Sequence, residues 1–388
     1  MKREFLNAAL AFGLCLFIGG QSFSQTKEQI QFVKGNIADK IAAVKSFGEG
    51  DLAKKAVDFA VENASLLKTD RDLAALAVAG ILSYPAEGYK AEPSAALKDF
   101  TAIFYGLDDI NVKVSVLDKI VALNGQQAFS DWTAFVNGYL SQKIAAGGTP
   151  DESVKKSISA LASVGNGSSF SPLYSILRQN VWPDLTPLVH DSLTSLADKS
   201  LNEIFGVIEK ADLVELKLLS KIFVKNDKIS AALRSEIAEK MLNRSMILAG
   251  NSSPSQDLAL FQLEAAKVLA ENKWTRAGSL AKDYFKAAKA AYNGKFLTAE
   301  QWTSAISSVE LLASRGAVAP LSEYLDQMNK AQEAGNPPDK AVVLAVINAL
   351  ANLGDKSSFD CLLYVTYVQD YPEEVAVAAR NALTRLKW

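Results

Sequence analysis

One apolar pattern recurs along the chain and constrains its fold more than any other feature. In the clearest copies a small or apolar residue precedes a larger apolar one, and a second large apolar residue ends the pattern three positions later; the copies that end at Leu82, Leu123, Phe223 and Leu269 are looser. Successive copies end 27 to 46 residues apart, and five of the eight gaps are 41 to 46 residues. The end positions are Leu82, Leu123, Val164, Leu196, Phe223, Leu269, Leu312, Leu353 and Leu386.

A spacing near 40 residues is that of a helical hairpin with its two turns. Leu, Ala, Lys and Glu are abundant, and runs of β-branched residues between tight turns are almost absent. A single hairpin cannot bury its apolar faces alone, so hairpins stack on one another. The sequence therefore predicts an all-α fold, an α-solenoid of about eight or nine stacked hairpins. The gaps of 32 and 27 residues around residues 165–223 predict shortened hairpins or a missing helix turn there.

The C-terminal stretch shows the predicted unit most clearly. Apolar residues at three- and four-residue steps predict a helix that ends before Gly354, where a left-handed conformation would cap it. Those residues are Val343, Val346, Ile347, Leu350 and Leu353. Asp355 has the position of an N-cap for a second helix that carries Phe359. Pro372 breaks that helix, and residues 374–386 are predicted to form the last one.

The last helix carries the motif V-x-x-A-A-x-x-A-L-x-x-L, formed by Val375, Ala378, Ala379, Ala382, Leu383 and Leu386. With A-L-x-x-L-G-D at 349–355, the chain resembles the HEAT-repeat family of the short bacterial kind, best over residues 150–200 and 300–388. The resemblance implies a HEAT/armadillo-type superhelix. Many HEAT units have Arg directly after the first valine, where this chain has Ala376. Tetratricopeptide repeats are the alternative helical-hairpin array, but this chain has neither their 34-residue period nor their Trp/Gly/Tyr signature.

The first 24 residues have the pattern of a bacterial export signal. Lys2 and Arg3 precede an apolar run of about 16 residues. Ser22 and Ser24 then occupy the −3 and −1 positions of a signal-peptidase site. The sequence predicts a mature chain of residues 25–388 that is exported to the periplasm or secreted, with no stable membrane span after cleavage.

Two alternatives for this segment stay open. An uncleaved membrane helix needs about 20 apolar residues, more than this run offers. A lipoprotein acylated at Cys15 is the other alternative, although the bulky Leu14 before it fits such a site poorly. Cleavage would leave Cys361 as the only cysteine, so we expect no internal disulfide.

Composition excludes several classes of function. With 41 Lys+Arg against 43 Asp+Glu, the net charge of −2 offers no basic surface for nucleic acid. One histidine and two cysteines exclude a Cys/His zinc cluster and most catalytic triads. We assign no catalytic, cofactor-binding or metal-binding residue, and we expect no cofactor.

Three features could suggest a chemical site, and each has a plainer interpretation. His190 lies early in a predicted helix and has no histidine partner. Cys361 lies on an apolar helix face, as a buried free cysteine does. The loop 165–169 lacks the lysine of a phosphate-binding loop and has no preceding strand, which favours a turn between helices.

Acidic pairs and tryptophans complete the candidates. The pairs lie near predicted helix starts, where carboxylates favour the positive end of the helix dipole; they are Asp108 with Asp109, Asp151 with Glu152, and Glu373 with Glu374. Most of the tryptophans are expected to fill the core, although tryptophan is also favoured at binding surfaces. They are Trp132, Trp182, Trp274, Trp302 and Trp388.

These observations predict a non-enzymatic scaffold or adaptor that binds another protein with the surface of a solenoid. A candidate hinge lies at residues 250–254, a cluster of loop-forming residues. One alternative is a structural component of the cell envelope that self-associates end to end, favoured by Trp388 after an apolar helix. Another is an all-α envelope enzyme or carbohydrate-binding protein, which would need a deep polar pocket.

Overall fold

A computed structural model describes residues 26–46, 50–123, 130–251 and 254–387. These ranges are almost entirely helical and contain no strand, which confirms the predicted all-α fold. The predicted signal segment, with Cys15, and Trp388 lie outside them, so the predictions made on those residues stay predictions.

The chain divides into two compact units, Met1–Ser200 and Leu201–Trp388, here called unit 1 and unit 2. Each is built from helical hairpins that stack on their neighbours, as in an α-solenoid. The candidate hinge at 250–254 includes two residues outside the described ranges and stays a prediction. No described helix combines the length and apolar composition that a membrane crossing needs.

Unit 1 consists of two layers of helices. Helices α3, α6, α8 and α10 form a first layer, and α2, α4, α7, α9 and α11 pack side by side in a second layer. The helices are α1 (Lys27–Lys34), α2 (Ile37–Ser46), α3 (Asp51–Asn63), α4 (Arg71–Ser83), α5 (Ala86–Ala91), α6 (Pro93–Gly106), α7 (Ile110–Ala122), α8 (Ser130–Ala146), α9 (Glu152–Val164), α10 (Phe170–Arg178) and α11 (Thr186–Ser195).

Local sequence explains how the hairpin of α3 and α4 forms. The side chain of Asp70 accepts a hydrogen bond from the backbone N–H of Leu73 and so caps α4. Gly80 lets the two helices approach closely, because a Cβ atom there would lie 3.0 Å from both the Ala53 carbonyl oxygen and the Ala56 Cβ. The apolar faces of both helices are thereby buried against each other.

Unit 2 repeats this arrangement. Helices α15, α17, α19 and α21 pack in sequence as one layer, and α16, α18 and α20 pair with them from the other side. The helices are α12 (Leu201–Ile208), α13 (Leu213–Leu219), α14 (Ala231–Asn251), α15 (Gln256–Glu271), α16 (Gly278–Asn293), α17 (Ala299–Ala313), α18 (Val318–Glu333), α19 (Lys340–Leu353), α20 (Phe359–Val365) and α21 (Glu373–Thr384). A π-helical turn, Ser220–Val224, follows α13.

The predictions for the C-terminal hairpins are confirmed. Gly354 ends α19 with a left-handed backbone (φ 62°), and the Asp355 side chain caps the following turn by accepting from the Ser357 backbone N–H at 3.0 Å. The last helix spans Glu373–Thr384, two residues shorter at its C-terminus than predicted. Helices α10 to α13 are only 7 to 10 residues long, so the shortened hairpins are confirmed too.

Polar contacts also join the open ends of single hairpins. In unit 1 the Thr133 hydroxyl donates to the Val164 carbonyl at 2.7 Å, 31 residues away. In unit 2 the Asn272 amide donates to the Ser235 hydroxyl at 2.9 Å, across 37 residues. Residues 31 to 37 positions apart therefore meet where the first helix of a hairpin begins and the second ends, as antiparallel pairing of the two helices requires.

Candidate binding surfaces

The largest open groove that we describe runs across the second layer of unit 1. Helices α2, α4 and α7 line it, and its volume is about 830 Å³. Ala75, Val78 and Val114 contribute apolar floor, and Leu82 lies in it with 52% of its surface exposed. The lining therefore mixes apolar and polar side chains.

Two cations line the same groove. Lys45 lies in the last turn of α2 and Arg71 in the first turn of α4. Neither side chain has an ion pair or hydrogen bond with the described residues. Asp109 also lines the groove, but its carboxylate caps α7 by accepting from the backbone N–H of Asn111 at 2.7 Å. The groove therefore combines apolar side chains with two cations and one helix-capping carboxylate.

The first layer of unit 1 contains a smaller cavity of about 230 Å³, here called the tyrosine cavity. Its chemically distinctive lining residues are Lys54, Tyr84, Tyr89, Glu92 and Asp99. Tyr89 is only 3% exposed, and burial raises the pKa of its phenol. Burial also raises the pKa of the Asp99 carboxyl. The cavity thus brings aromatic and carboxyl groups into a partly dry environment.

Unit 2 has an apolar groove of about 430 Å³ between α14, α15 and α16. Small residues such as Ala287, Ala290 and Gly294 form one wall, because they leave space that larger side chains would fill. The buried Gln262 also lines it and donates through its amide nitrogen to the Ser245 carbonyl at 3.1 Å. The groove adjoins the end of α14, next to residues outside the described ranges.

His190 and Cys361, the two single residues that the sequence analysis weighed as candidate sites, both lie on helices. His190 lies on α11, partly buried, and has interaction partners there. Cys361 is buried on α20, where its thiol donates to the Ser358 carbonyl at 3.1 Å. Burial raises the pKa of that thiol, which disfavours the reactive thiolate. The predicted buried free cysteine is confirmed.

The acidic pairs and the loop 165–169 behave as helix ends. Asp151 accepts from the Val154 backbone N–H at 3.1 Å and so caps α9, while Glu373 and Glu374 occupy the first turn of α21. Asn166 caps the short helical turn between α9 and α10. Over the described ranges, no group of three His, Cys, Asp or Glu side chains has the proximity of a metal site.

Three of the four described tryptophans are buried in the core. Trp132, Trp182 and Trp302 are buried, and the Trp182 indole donates to the Gly148 carbonyl at 2.9 Å. The Trp274 indole donates to a Glu239 carboxylate oxygen at 2.7 Å. The prediction that tryptophans fill the core is confirmed for the three buried ones.

Comparisons with known proteins do not assign the chain to a family. No family model matches the chain, and no curated protein matches it. A crystal structure of an engineered protein is 17% identical with a TM-score of 0.35, covering 92% of this chain and 97% of that chain. A computationally designed self-assembling cyclic homooligomer is 12% identical with a TM-score of 0.12, covering 90% and 92%. Such low TM-scores support no argument about fold or function, so the HEAT resemblance stays a prediction.

Sequence reasoning missed the residues of both unit 1 surfaces. It treated Leu82 as the apolar end of a repeat pattern, but Ile81 is buried and Leu82 is exposed. Adjacent helical positions point about 100° apart, so two consecutive apolar residues were the available signal that one leaves the core. Lys45 and Arg71 carried no signal, because they are ordinary charged residues at helix ends.

Proposed function

We propose that the mature chain is an exported, non-enzymatic scaffold that binds another protein along the groove of unit 1. The observation that carries this proposal is the groove itself, an open surface shared by three successive second-layer helices. Stacked helical hairpins use such extended concave surfaces to bind partners. The export part of the proposal rests on residues 1–24, whose sequence has the pattern of a signal peptide.

The lining favours a partner segment with apolar and acidic side chains. The exposed Leu82 and the apolar floor would be buried by the partner, at roughly 25 cal/mol per Å² of apolar surface. Lys45 and Arg71 would donate charge-assisted hydrogen bonds to partner carboxylates. Because both cations are exposed to solvent, we expect binding to weaken as salt concentration rises.

Site-specific crosslinking tests the proposal. A photoreactive amino acid replaces Leu82 in the groove or, as a control, Leu66, which is 80% exposed in unit 1 and does not line the groove. Both chains are exposed to envelope extract, and products are identified by mass spectrometry. We expect one dominant protein crosslinked from position 82 and absent from position 66.

Two further variants test the chemistry of the groove. Arg71→Glu should reduce the yield of the specific crosslink several-fold, because it replaces an attractive charge with a repulsive one. Lys55→Glu, an exposed charge reversal on α3, should leave the yield unchanged. Equal products from positions 82 and 66, or none from 82, would contradict the proposal. A crosslink from 82 to a second copy of the chain would favour self-association instead.

A further inference from the structure

The apolar groove of unit 2, here called the unit 2 groove, is large enough for a small molecule. The C-terminal ends of α14 and α16 and the N-terminal half of α15 line it. Its volume of about 430 Å³ lies within the roughly 300–1,000 Å³ of small-molecule pockets. We propose that it binds an uncharged, apolar small molecule that carries one hydroxyl group. The proposal concerns unit 2 alone and does not depend on the scaffold function.

The first observation is the space that small residues leave between α14 and α16. Ala249 and Gly250 line the groove from α14, and Ala287, Ala290 and Ala291 line it from α16. Neighbouring helices normally pack closely, because larger side chains interlock between them. Here both helices present small side chains, so the space between them stays open. An apolar ligand would supply the van der Waals contacts that these walls lack.

The second observation is the side chain of Gln262, which lines the groove although only 3% of its surface is exposed. Its Nε2 donates to the Ser245 carbonyl on α14 at 3.1 Å, and because a carbonyl only accepts, this contact distinguishes Nε2 from Oε1. Oε1 accepts no hydrogen bond from the described residues and is not fully enclosed, so it is aimed into the groove. Buried polar atoms are nearly always paired, so this oxygen points to a ligand that donates a hydrogen bond.

The third observation is the neutral lining. None of the described lining residues is charged, and Gln262 and Ser255 alone among them have polar side chains. The Ser255 hydroxyl already caps α15 by accepting from the Leu258 backbone N–H at 3.3 Å. A charged ligand would lose water without gaining a counter-ion, and a sugar would leave most of its hydroxyls unpaired. A hydrocarbon would leave Oε1 without a donor, so the lining selects an apolar molecule with one hydroxyl.

Binding is tested on the mature chain labelled with ¹³C at its methionine methyl groups. Met246 lines the groove, and Met328, buried on α18, serves as an internal control. Octan-1-ol should shift the Met246 signal saturably and leave the Met328 signal in place. Its isomer 1-methoxyheptane has the same atoms but no hydroxyl, so it should bind at least about fivefold more weakly. Equal affinities for the two isomers, or a Met246 shift that does not saturate, would overturn the proposal.

The variant Gln262→Met tests the acceptor. It keeps the length of the side chain and removes Oε1, so octan-1-ol should bind no more tightly than 1-methoxyheptane. The affinity for 1-methoxyheptane itself should change less than about twofold, because the apolar walls are unaltered. The readout is a ratio of two affinities on one variant, so it does not depend on stability lost with the Ser245 contact. A preference for octan-1-ol that survives in Gln262→Met would contradict the assigned acceptor and the proposal with it.

A second variant tests the location and remains decisive if Gln262→Met folds poorly. Ala290 is an exposed residue in the wall of the groove, so Ala290→Phe should fill the space and weaken octan-1-ol binding about tenfold or more. The control Ser279→Phe makes an exposed phenylalanine on the same α16 away from the groove, and should change binding less than about twofold. Unchanged binding in Ala290→Phe, or an equal loss in both variants, would show that octan-1-ol binds elsewhere and would reject the site.

Discussion

The two units bury polar side chains of different charge. The last carbonyls of a helix lack partners within the helix, and they need donors when they are buried. In unit 1 two buried lysines are among these donors. Lys40 is 2% exposed and donates to the Phe32 carbonyl at 2.8 Å, and Lys119 is 8% exposed and donates to the carbonyls of Leu82 and Tyr84.

Unit 2 buries uncharged polar side chains, two of which donate to carbonyls that lie within helices and not at their ends. Asn329 donates to the Cys361 carbonyl at 3.4 Å and accepts from the Tyr371 hydroxyl at 3.1 Å. Gln262 donates to the Ser245 carbonyl. Over the described part of this unit, every buried polar side chain is a serine, an asparagine or a glutamine.

The difference shows that burying a charged donor carries a free-energy cost. An ammonium complements the negative end of a helix, but burial removes its water. Burial accordingly lowers the pKa of both Lys40 and Lys119. Aromatic rings offset part of this loss, since the two ammonium groups lie 5.9 and 5.5 Å from the ring centroids of Phe32 and Tyr89. Unit 1 therefore depends on the charge state of its interior, whereas the neutral amides of unit 2 do not titrate.

The largest effect is expected from charge reversal of a buried lysine. Lys119→Glu would place a carboxylate against two carbonyl oxygens, which should lower the free energy of unfolding by more than about 4 kcal/mol. The same reversal at the exposed Lys55 on α3 should change it by less than about 0.5 kcal/mol. Urea unfolding followed by circular dichroism compares the two, and similar losses would remove the distinction between buried and surface lysines.

Removing the donor without adding a charge should give an intermediate effect in both units. Lys119→Met leaves buried carbonyls without their donor and Asn329→Leu leaves the Tyr371 hydroxyl without its acceptor, and each should lower the free energy of unfolding by about 1–3 kcal/mol. Amide hydrogen exchange locates the loss of stability. We expect faster exchange in α4 and α7 for Lys119→Met, and in α18 and α20 for Asn329→Leu. A loss no larger than that of Lys55→Met would show that the lysine is not a structural donor.

The smallest effect is a difference in pH dependence. Between the lowered pKa of Lys119 in the folded chain and its ordinary value of 10.5, the unfolded chain binds more protons, so this group makes stability rise with pH. Burial raises the pKa of Tyr371 to about 12, so its stabilising contribution is lost as pH rises from 10 to 12.

Urea unfolding in steps of pH from about 8 to 12 measures both slopes. We expect Lys119→Met to flatten the rise on the approach to pH 10, and Tyr371→Phe to flatten the decline above it. The opposite assignment of the two slopes would contradict the picture of a charged interior in unit 1 and a neutral one in unit 2.

The sequence predicted the structure more closely in some parts of the chain than in others. The hairpin around Gly354 was predicted closely, because its stop signal, its N-cap and its apolar spacing are all local. The burial of Lys40 and Lys119 was not predicted, because nothing in their local sequence distinguishes them from surface lysines such as Lys55. Asp99 was missed for the same reason, because its neighbours in the tyrosine cavity come from α3 and α5.

The sequence by itself determined the all-α class, the helical-hairpin spacing and the short helices between residues 165 and 223. These follow from periodicity and from local stop signals, which act within one or two turns of a helix. Only the tertiary structure decided where the chain divides into two units, which lysines are buried, and which side chains share the groove and the tyrosine cavity. Those features depend on residues that stacking brings together from different helices, so no segment of the sequence contains them alone.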